Sequence, residues 1–213
     1  ASAIVLATGT REESRAARLL PGQRPIGILT TGALQDYVYL RRLIPFRRPL
    51  IVGSELVTMS ALLTCRSASI EPVAMIEEEP TPRIGHPIAL FPRLLGIPVH
   101  YGTRIDDVFG TARVEAVRLR HASGGTRIVE CGGILLTGRF TPESSLARLS
   151  NLAIDAATEG PSVDAHLLAQ PGIYAAGNGL RAVRTAGQCW AEGRRVAHSV
   201  ASALGRPADE ENP

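Results

Sequence analysis

The 213-residue sequence contains no lysine, so its 23 basic side chains are all arginines, set among 20 acids rather than gathered into a stripe. That argues against a nucleic-acid partner, because a surface that tracks phosphates concentrates its charge. The arginine and alanine bias fits a GC-rich bacterial genome. Long apolar runs are missing too. No stretch approaches the roughly 20 residues of a membrane span, and no charged segment followed by an apolar one and a cleavage site opens the sequence. No membrane span is expected, and the cytoplasm is the expected location. Cysteine is scarce: Cys65, Cys131 and Cys189 stand far apart with no C-x-x-C. This spacing encodes neither a zinc knuckle nor a redox disulfide pair, and it predicts buried free thiols. His86, His100, His121, His166 and His198 show no metal-like spacing to another His or Cys, so no metal site is expected. What is present is a hydrophobic fraction of 45%, enough for a real core in one large or two small domains.

The most informative stretch is Pro49 to Glu79. An apolar run, Leu50-Ile51-Val52, stops at Gly53. A helix-compatible segment follows from Leu56 to Arg66, and a second apolar run, Pro72 to Ile76, stops at Glu77 and Glu78. This is the order of a βαβ dinucleotide site: glycine for the tight turn, the positive end of the helix for a pyrophosphate, and a carboxylate at the second strand tip for a ribose diol. The fingerprint is altered. Where G-x-G-x-x-G/A is wanted, the residues are Gly53-Ser54-Glu55-Leu56-Val57-Thr58, and a carboxylate at Glu55 is expected to repel a pyrophosphate. The unit either binds a dinucleotide or is a packing unit that keeps the shape.

Around this unit the patterning predicts a strand at Ala3 to Ala7, a loop to Pro25, a helix at Gly32 to Leu40 and a helix within Ile88 to Leu95. Strands at Val99 to Tyr101, Val114 to Arg120 and Thr126 to Cys131, with a turn at Ser123-Gly124-Gly125, predict an antiparallel meander. A further strand spans Gly132 to Arg139, Leu146 to Asp164 is loop-like, and a strand at Gly172 to Asn178 leads to a helix over Ala186 to Leu204 and a frayed acidic tail. Three apolar runs end on a small residue and a glycine: Ala7-Thr8-Gly9, Thr137-Gly138-Arg139 and Ala176-Gly177-Asn178. Strand ends are where open α/β sheets hold ligands.

In this order the residues resemble the two-dinucleotide-binding flavoprotein family of FAD-dependent pyridine nucleotide oxidoreductases, in the branch with opine oxidase, hydrogen cyanide synthase and hydroxyproline or proline dehydrogenase subunits. IVLATGT resembles the strand that closes the first half of the family's FAD domain, and ILLTGRFTPESSL the segment returning from its nucleotide domain. GIYAAGNGLRAVRTAGQCWAEGRR resembles the second flavin motif. The resemblance implies an α/β fold in which a Rossmann-like NAD(P)-binding domain, 46–138, is inserted in a partial FAD-binding domain, 1–45 and 139–213. It implies FAD contacts at Thr8, Gly9, Gly177, Asn178, Thr185 and Ala186, with Asn178 standing where the family has aspartate. For nicotinamide nucleotide it implies Gly53, Ser54, Leu56, Glu77 or Glu78, and Gly138, with the acid favouring NAD over NADP.

The family's first flavin fingerprint is not in this sequence. The expectation is therefore a fragment, or a subunit completed by another chain, that holds FAD poorly by itself. The implied activity is oxidation of an amine or imino acid, or relay of electrons between flavin and a nicotinamide nucleotide or partner oxidoreductase subunit. The alternative is a non-catalytic Rossmann-like assembly module, alone or in a homo-oligomer. No general base is identifiable: Tyr174 reads as strand packing, His166 lies near a flavin-facing segment, and Cys189 and Trp190 read as core residues of the last helix.

Overall fold

The structure, a computed structural model, describes residues 1–85 and 87–205. His86 and the acidic tail at 207–213 lie outside the described residues. The chain divides into two units, a central one, Glu12–Arg139, and a flanking one, Ala1–Arg11 with Phe140–Pro213.

The flanking unit opens with β1 (Ile4–Leu6), and β2 (Thr10–Glu12) carries the chain across the boundary. In the central unit come β3 (Ile28–Thr30), α1 (Thr31–Gln35) with one π-helical turn at Asp36–Leu40, β4 (Pro49–Val52), α2 (Leu56–Ser67) and β5 (Ala74–Ile76). A 3-10 turn at Ile88–Leu90 runs into α3 (Phe91–Leu94), and then follow β6 (Val99–His100), β7 (Thr103–Phe109), β8 (Ala116–His121), β9 (Thr126–Glu130) and β10 (Gly133–Leu136). The flanking unit resumes with β11 (Phe140–Pro142), paired to β2, then α4 (Ser145–Leu149), β12 (Leu168–Gln170), β13 (Ile173–Ala175), a 3-10 turn at Gly177–Gly179 and α5 (Ala186–Ala203).

A parallel sheet in the order β3-β10-β4-β5-β6 forms the centre of the central unit. Its strands read as continuous apolar runs because both faces are covered. Ile51, Met75 and Leu135 face a core shared with Leu34, Met59 and Leu62 of the helices. Leu50, Ile76, Ile134 and Leu136 face a second core shared with Val108, Val117 and Leu119 of the antiparallel meander β7-β8-β9. In α2 the buried Thr58, Ala61, Leu62 and Cys65 recur at helical spacing and turn one stripe to the sheet.

In the flanking unit β1 pairs in parallel with β13, and β12 pairs antiparallel on the other side of β13. Tyr174, Ala175, Leu167, Leu180 and Val196 make its core. β1 is an edge strand on which Ile4 and Val5 are exposed.

Several expected elements change. Residues 12–45 belong to the central unit, since β3 pairs with β10 across a long sequence separation that local patterning does not report. The helix expected at Gly32 to Leu40 changes from α to π at Asp36. The segment expected as loop after Leu146 begins inside α4, and β7 and β12, not expected from patterning, are present.

Candidate functional site

At the end of β4, Gly53 takes φ +113°, and a Cβ there would stand 2.6 Å from the Thr137 carbonyl oxygen. Only glycine fits that approach of two parallel strand ends. Thr58, at the third glycine position of the fingerprint, is fully buried, and its hydroxyl lies 2.7 Å from that of Thr137. Helix and strand thus meet through a satisfied hydroxyl pair instead of a glycine contact.

Glu55 occupies the N-cap position of α2 but makes no capping hydrogen bond with its side chain. The carboxylate reaches across to the end of β10, where Oε1 accepts the Arg139 backbone N–H at 3.0 Å. It lies directly over Gly138, where an added Cβ would stand 2.4 Å from Glu55 Cδ. Glu55 Oε2 is buried and has no hydrogen-bond partner, while Oε1 is 3.9 Å from the Arg83 guanidinium.

The two candidate ribose acids are engaged as well. Glu77, only 3% exposed, accepts the Ser54 hydroxyl at 2.6 Å and the Glu79 N–H at 3.2 Å. Arg83 lies 3.5 Å from Glu77 and 3.3 Å from Glu79, and its backbone N–H donates to Ser54 Oγ at 3.0 Å. Glu78 is bound by Arg139. Arg18 donates to the carbonyls of Thr137 at 3.1 Å and Gly138 at 2.5 Å; burial first, and Arg139 second, push its guanidinium below the ordinary value. The space left among these groups is a cavity of about 20 Å³, room for roughly one water. Leu56, also expected at this site, is 62% exposed at the start of α2. Gly53, Ser54, Glu77, Glu78 and Gly138 are brought together; in this arrangement Glu55 occupies the approach over Gly138 and arginines pair with the carboxylates.

The flanking unit gathers its own candidates. Thr8 donates its hydroxyl to the Glu143 carbonyl at 2.7 Å. Gly179 packs onto Thr8 and Gly9, where a Cβ would meet Thr8 Oγ1 at 2.9 Å. Gly9 has φ +73° and open space where a Cβ would stand. Gly177 donates its N–H at 2.6 Å to Glu192, a carboxylate only 3% exposed that Arg181 approaches at 3.4 Å. Asn178 is committed to its own loop, accepting the Arg184 N–H at 2.7 Å and donating to the Arg184 carbonyl at 3.3 Å. Thr185 closes a capping box with Gln188, and Ala186 and Gly187 open α5 at the surface. The open face of Gly9 and the exposed positive end of an 18-residue helix suit an oxygen-rich ligand edge.

Two residues of this region carry no sequence signal: Glu192 reads as an ordinary helix-surface acid, and Gly160 as a loop glycine. A Cβ on Gly160 would stand 2.2 Å from the Leu180 carbonyl oxygen, so its bare backbone supports the Gly177–Gly179 turn. Trp190 is not a core residue. It is 66% exposed beneath the Arg194 guanidinium, 5.1 Å from its ring centroid. Glu192 and Val196 form the buried stripe of α5, and a position two residues away lies about 200° round the helix. Tyr174 is buried in β13, and His166 is exposed.

Cys65 and Cys131 are buried free thiols, whereas Cys189 is half-buried. Burial pushes the Cys65 thiol up to about 12 and raises Cys131 in the same direction. Iodoacetamide at about pH 8 is therefore expected to modify Cys189 well before the other two in native protein, because the thiolate is the nucleophile. Peptide mass spectrometry checks the order, and equal labelling of Cys65 would contradict the burial. Among the described residues no group of three His, Cys, Asp or Glu is placed to hold a metal ion, and no helix is long and apolar enough to cross a membrane.

The fold is a mixed α/β arrangement with a parallel sheet, similar to that of solved thioredoxin reductases. The chain is similar in structure to thioredoxin reductase of T. acidophilum, with a TM-score of 0.78 and 19% identity over 96% of this chain and 66% of that one. It is also similar to CoADR-RHD of Bacillus anthracis, with a TM-score of 0.72, 18% identity and 94% of this chain against 38% of that one. The L-proline dehydrogenase of P. horikoshii has a TM-score of 0.68 and 16% identity, over 98% of this chain and 36% of that one. The chain thus spans about two thirds of the first and little more than a third of the others. At these identities the likeness establishes the fold. No profile of a known protein family matches the sequence, and no curated protein sequence does either.

Proposed function

We propose that this chain is a fragment or subunit of an FAD-dependent oxidoreductase, in which the flanking unit is part of a flavin-binding domain and the central unit is a nicotinamide-nucleotide domain closed by its own side chains. The likeness of nearly the whole chain, both units included, to thioredoxin reductase carries this reading. Thr8, Gly9 and Gly177 would line the flavin, with the backbone N–H groups of Ala186 and Gly187 at its electron-rich edge; Asn178 acts indirectly, by holding the Arg184 loop. Flavin, when bound, accepts a hydride from a carbon next to nitrogen, and the protein orients the donor and excludes water. Glu55 over Gly138 argues that the central cleft does not deliver NADH to that reaction. The electron donor is then an amine or imino acid, the substrate type named for the proline dehydrogenase, or a partner subunit. The open edge of β1, with Ile4 and Val5 exposed, supports pairing there with such a partner or a second copy of this chain.

An absorbance spectrum of the purified chain with added FAD, followed by gel filtration, tests the reading. A flavin band that co-elutes is expected when the completing polypeptide is present and weak retention when it is not. Absence of flavin in both cases would favour a second reading, a Rossmann-like assembly module without catalysis, for which the closed cleft speaks directly.

A further inference from the structure

The central unit holds a second and larger cleft that the flavin reading does not use. The parallel sheet ends on its edge strand β6, with His100 at the tip and Tyr101 just beyond. Facing it is the inner side of the meander. Thr103 of β7 pairs with His121 of β8, and Leu119 of β8 pairs with Arg127 of β9. Because cross-strand partners share a face and so do positions two apart along a strand, Leu119, His121 and Arg127 stand together. The two surfaces diverge around a cavity of about 490 Å³, within the range of small-molecule sites.

The chemistry of the lining is one-sided. His100, His121 and Arg127 bring positive or protonatable groups, Val99 and the Tyr101 ring bring apolar surface over the buried Leu119, and no Asp or Glu is among the lining residues. Arg127 has no ion pair among the described residues, and the Tyr101 hydroxyl has no hydrogen-bond partner among them. His121 is oriented by Ser123, whose backbone N–H donates to Nδ1 at 3.2 Å, with the Ser123 hydroxyl 2.7 Å from the same nitrogen. The neutral ring therefore carries its proton on Nε2 and offers a donor there. The remaining charged groups on this side are already paired or lie in an adjoining cavity of about 210 Å³ that shares His121. Arg120 is bound bidentately by Asp106, Glu78 by Arg139, and Arg104 stands beside Asp106.

We propose that this cleft binds a small organic anion, a phosphate monoester carried on a flat apolar body, with Arg127, His100 and His121 holding the charge and Val99 and Tyr101 the body. It is independent of flavin and of nicotinamide nucleotide. Burial, then the charges of Arg127 and His121, hold His100 below its ordinary value, so it is neutral near pH 7 in the free protein. An entering anion raises that value and binding takes up a proton, so affinity rises as the pH falls toward 6.

Titration of the whole chain with phenyl phosphate, followed by NMR of labelled histidine side chains, tests this. The expected result is saturable shifts at His100 and His121, affinity about tenfold higher at pH 6 than at pH 8, and weaker binding of inorganic phosphate and of benzoate, which lack the body and the second charge respectively. Arg127→Ala, on an exposed position of β9, should weaken phenyl phosphate about tenfold with an unchanged circular dichroism spectrum. The wild-type titration decides even if that variant folds badly: no saturable histidine shift up to about 10 mM phenyl phosphate would overturn the proposal, as would unchanged affinity in a folded Arg127→Ala protein. Equal affinity for benzoate would overturn the phosphate assignment.

Discussion

Replacing Glu55 with glycine should raise the affinity of the central cleft for NADH by at least about thirtyfold. A like charge against a bound anion costs several kcal/mol, and each 1.4 kcal/mol is a factor of ten. The substitution removes the carboxylate from Gly138, returns the Arg139 N–H, and leaves Arg83 free of one of its three carboxylate neighbours. Stability should change little, since Glu55 makes no capping hydrogen bond, glycine is itself favoured at N-cap positions, and the buried, unpartnered Oε2 disappears. Glu55→Gln separates the two contributions: if charge is the obstacle it recovers part of the gain, and if bulk is the obstacle it recovers none. Calorimetric titration with NADH reads the result. A folded Glu55→Gly protein that still ignores NADH would show that Thr58 and the Arg83 network, not Glu55, close the cleft.

In the flanking unit, Gly160→Ala should cost about 3 kcal/mol, the upper end for overpacking, because the new Cβ would meet backbone rather than a movable side chain. The Leu180 carbonyl oxygen stands 2.2 Å away, its carbon 2.7 Å and the Gly179 oxygen 2.8 Å. Relief requires moving the Gly177–Gly179 turn away from Thr8 and Gly9, so retained flavin should fall together with stability. Gly187→Ala is the control. That glycine sits in the first turn of α5 with open space at its Cβ position, and alanine in a helix is favoured by up to about 1 kcal/mol. Urea unfolding followed by the fluorescence of Trp190, on α5, reports on this unit. Wild-type stability in Gly160→Ala would mean that the turn is supported some other way.

Much of the central unit was legible in the residues. Leu50 to Val52, Ala74 to Ile76 and Gly133 to Leu136 are strands buried on both faces, and a run that is apolar at every position is what such strands require. The meander announced itself by alternation around Ser123-Gly124-Gly125, and α5 by its long run from Ala186 to Leu204 after the Gly172 to Asn178 strand. The loop-like reading after Leu146 and the unread β7 and β12 failed for a local reason: short or mixed-polarity segments are shaped by their neighbours more than by their own pattern. Trp190 failed for a geometric one. Periodicity shows that a helix has faces, but which face is buried depends on what packs against it, and here the sheet takes Val196.

The candidate site shows the same divide at the level of chemistry. The order strand, glycine, helix, strand, carboxylate is a property of the sequence, because a tight turn needs Gly53 and a βαβ unit needs apolar runs at that spacing. The presence of Glu55 at the second glycine position is also plain in the sequence, as is the absence of lysine and of a C-x-x-C pair. Where that carboxylate goes was settled only when β10 came to lie beside β4, bringing Gly138 and, 84 residues away in sequence, Arg139 against Glu55. The engagement of Glu77 by Ser54 and Arg83, the support of the Gly177–Gly179 turn by Gly160, and the meeting of His100 with His121 and Arg127 likewise join residues distant in the chain. Local composition and spacing determine which elements form. The charges and hydroxyls they carry find their partners through long-range strand pairing, and those partners decide whether a site is open or closed.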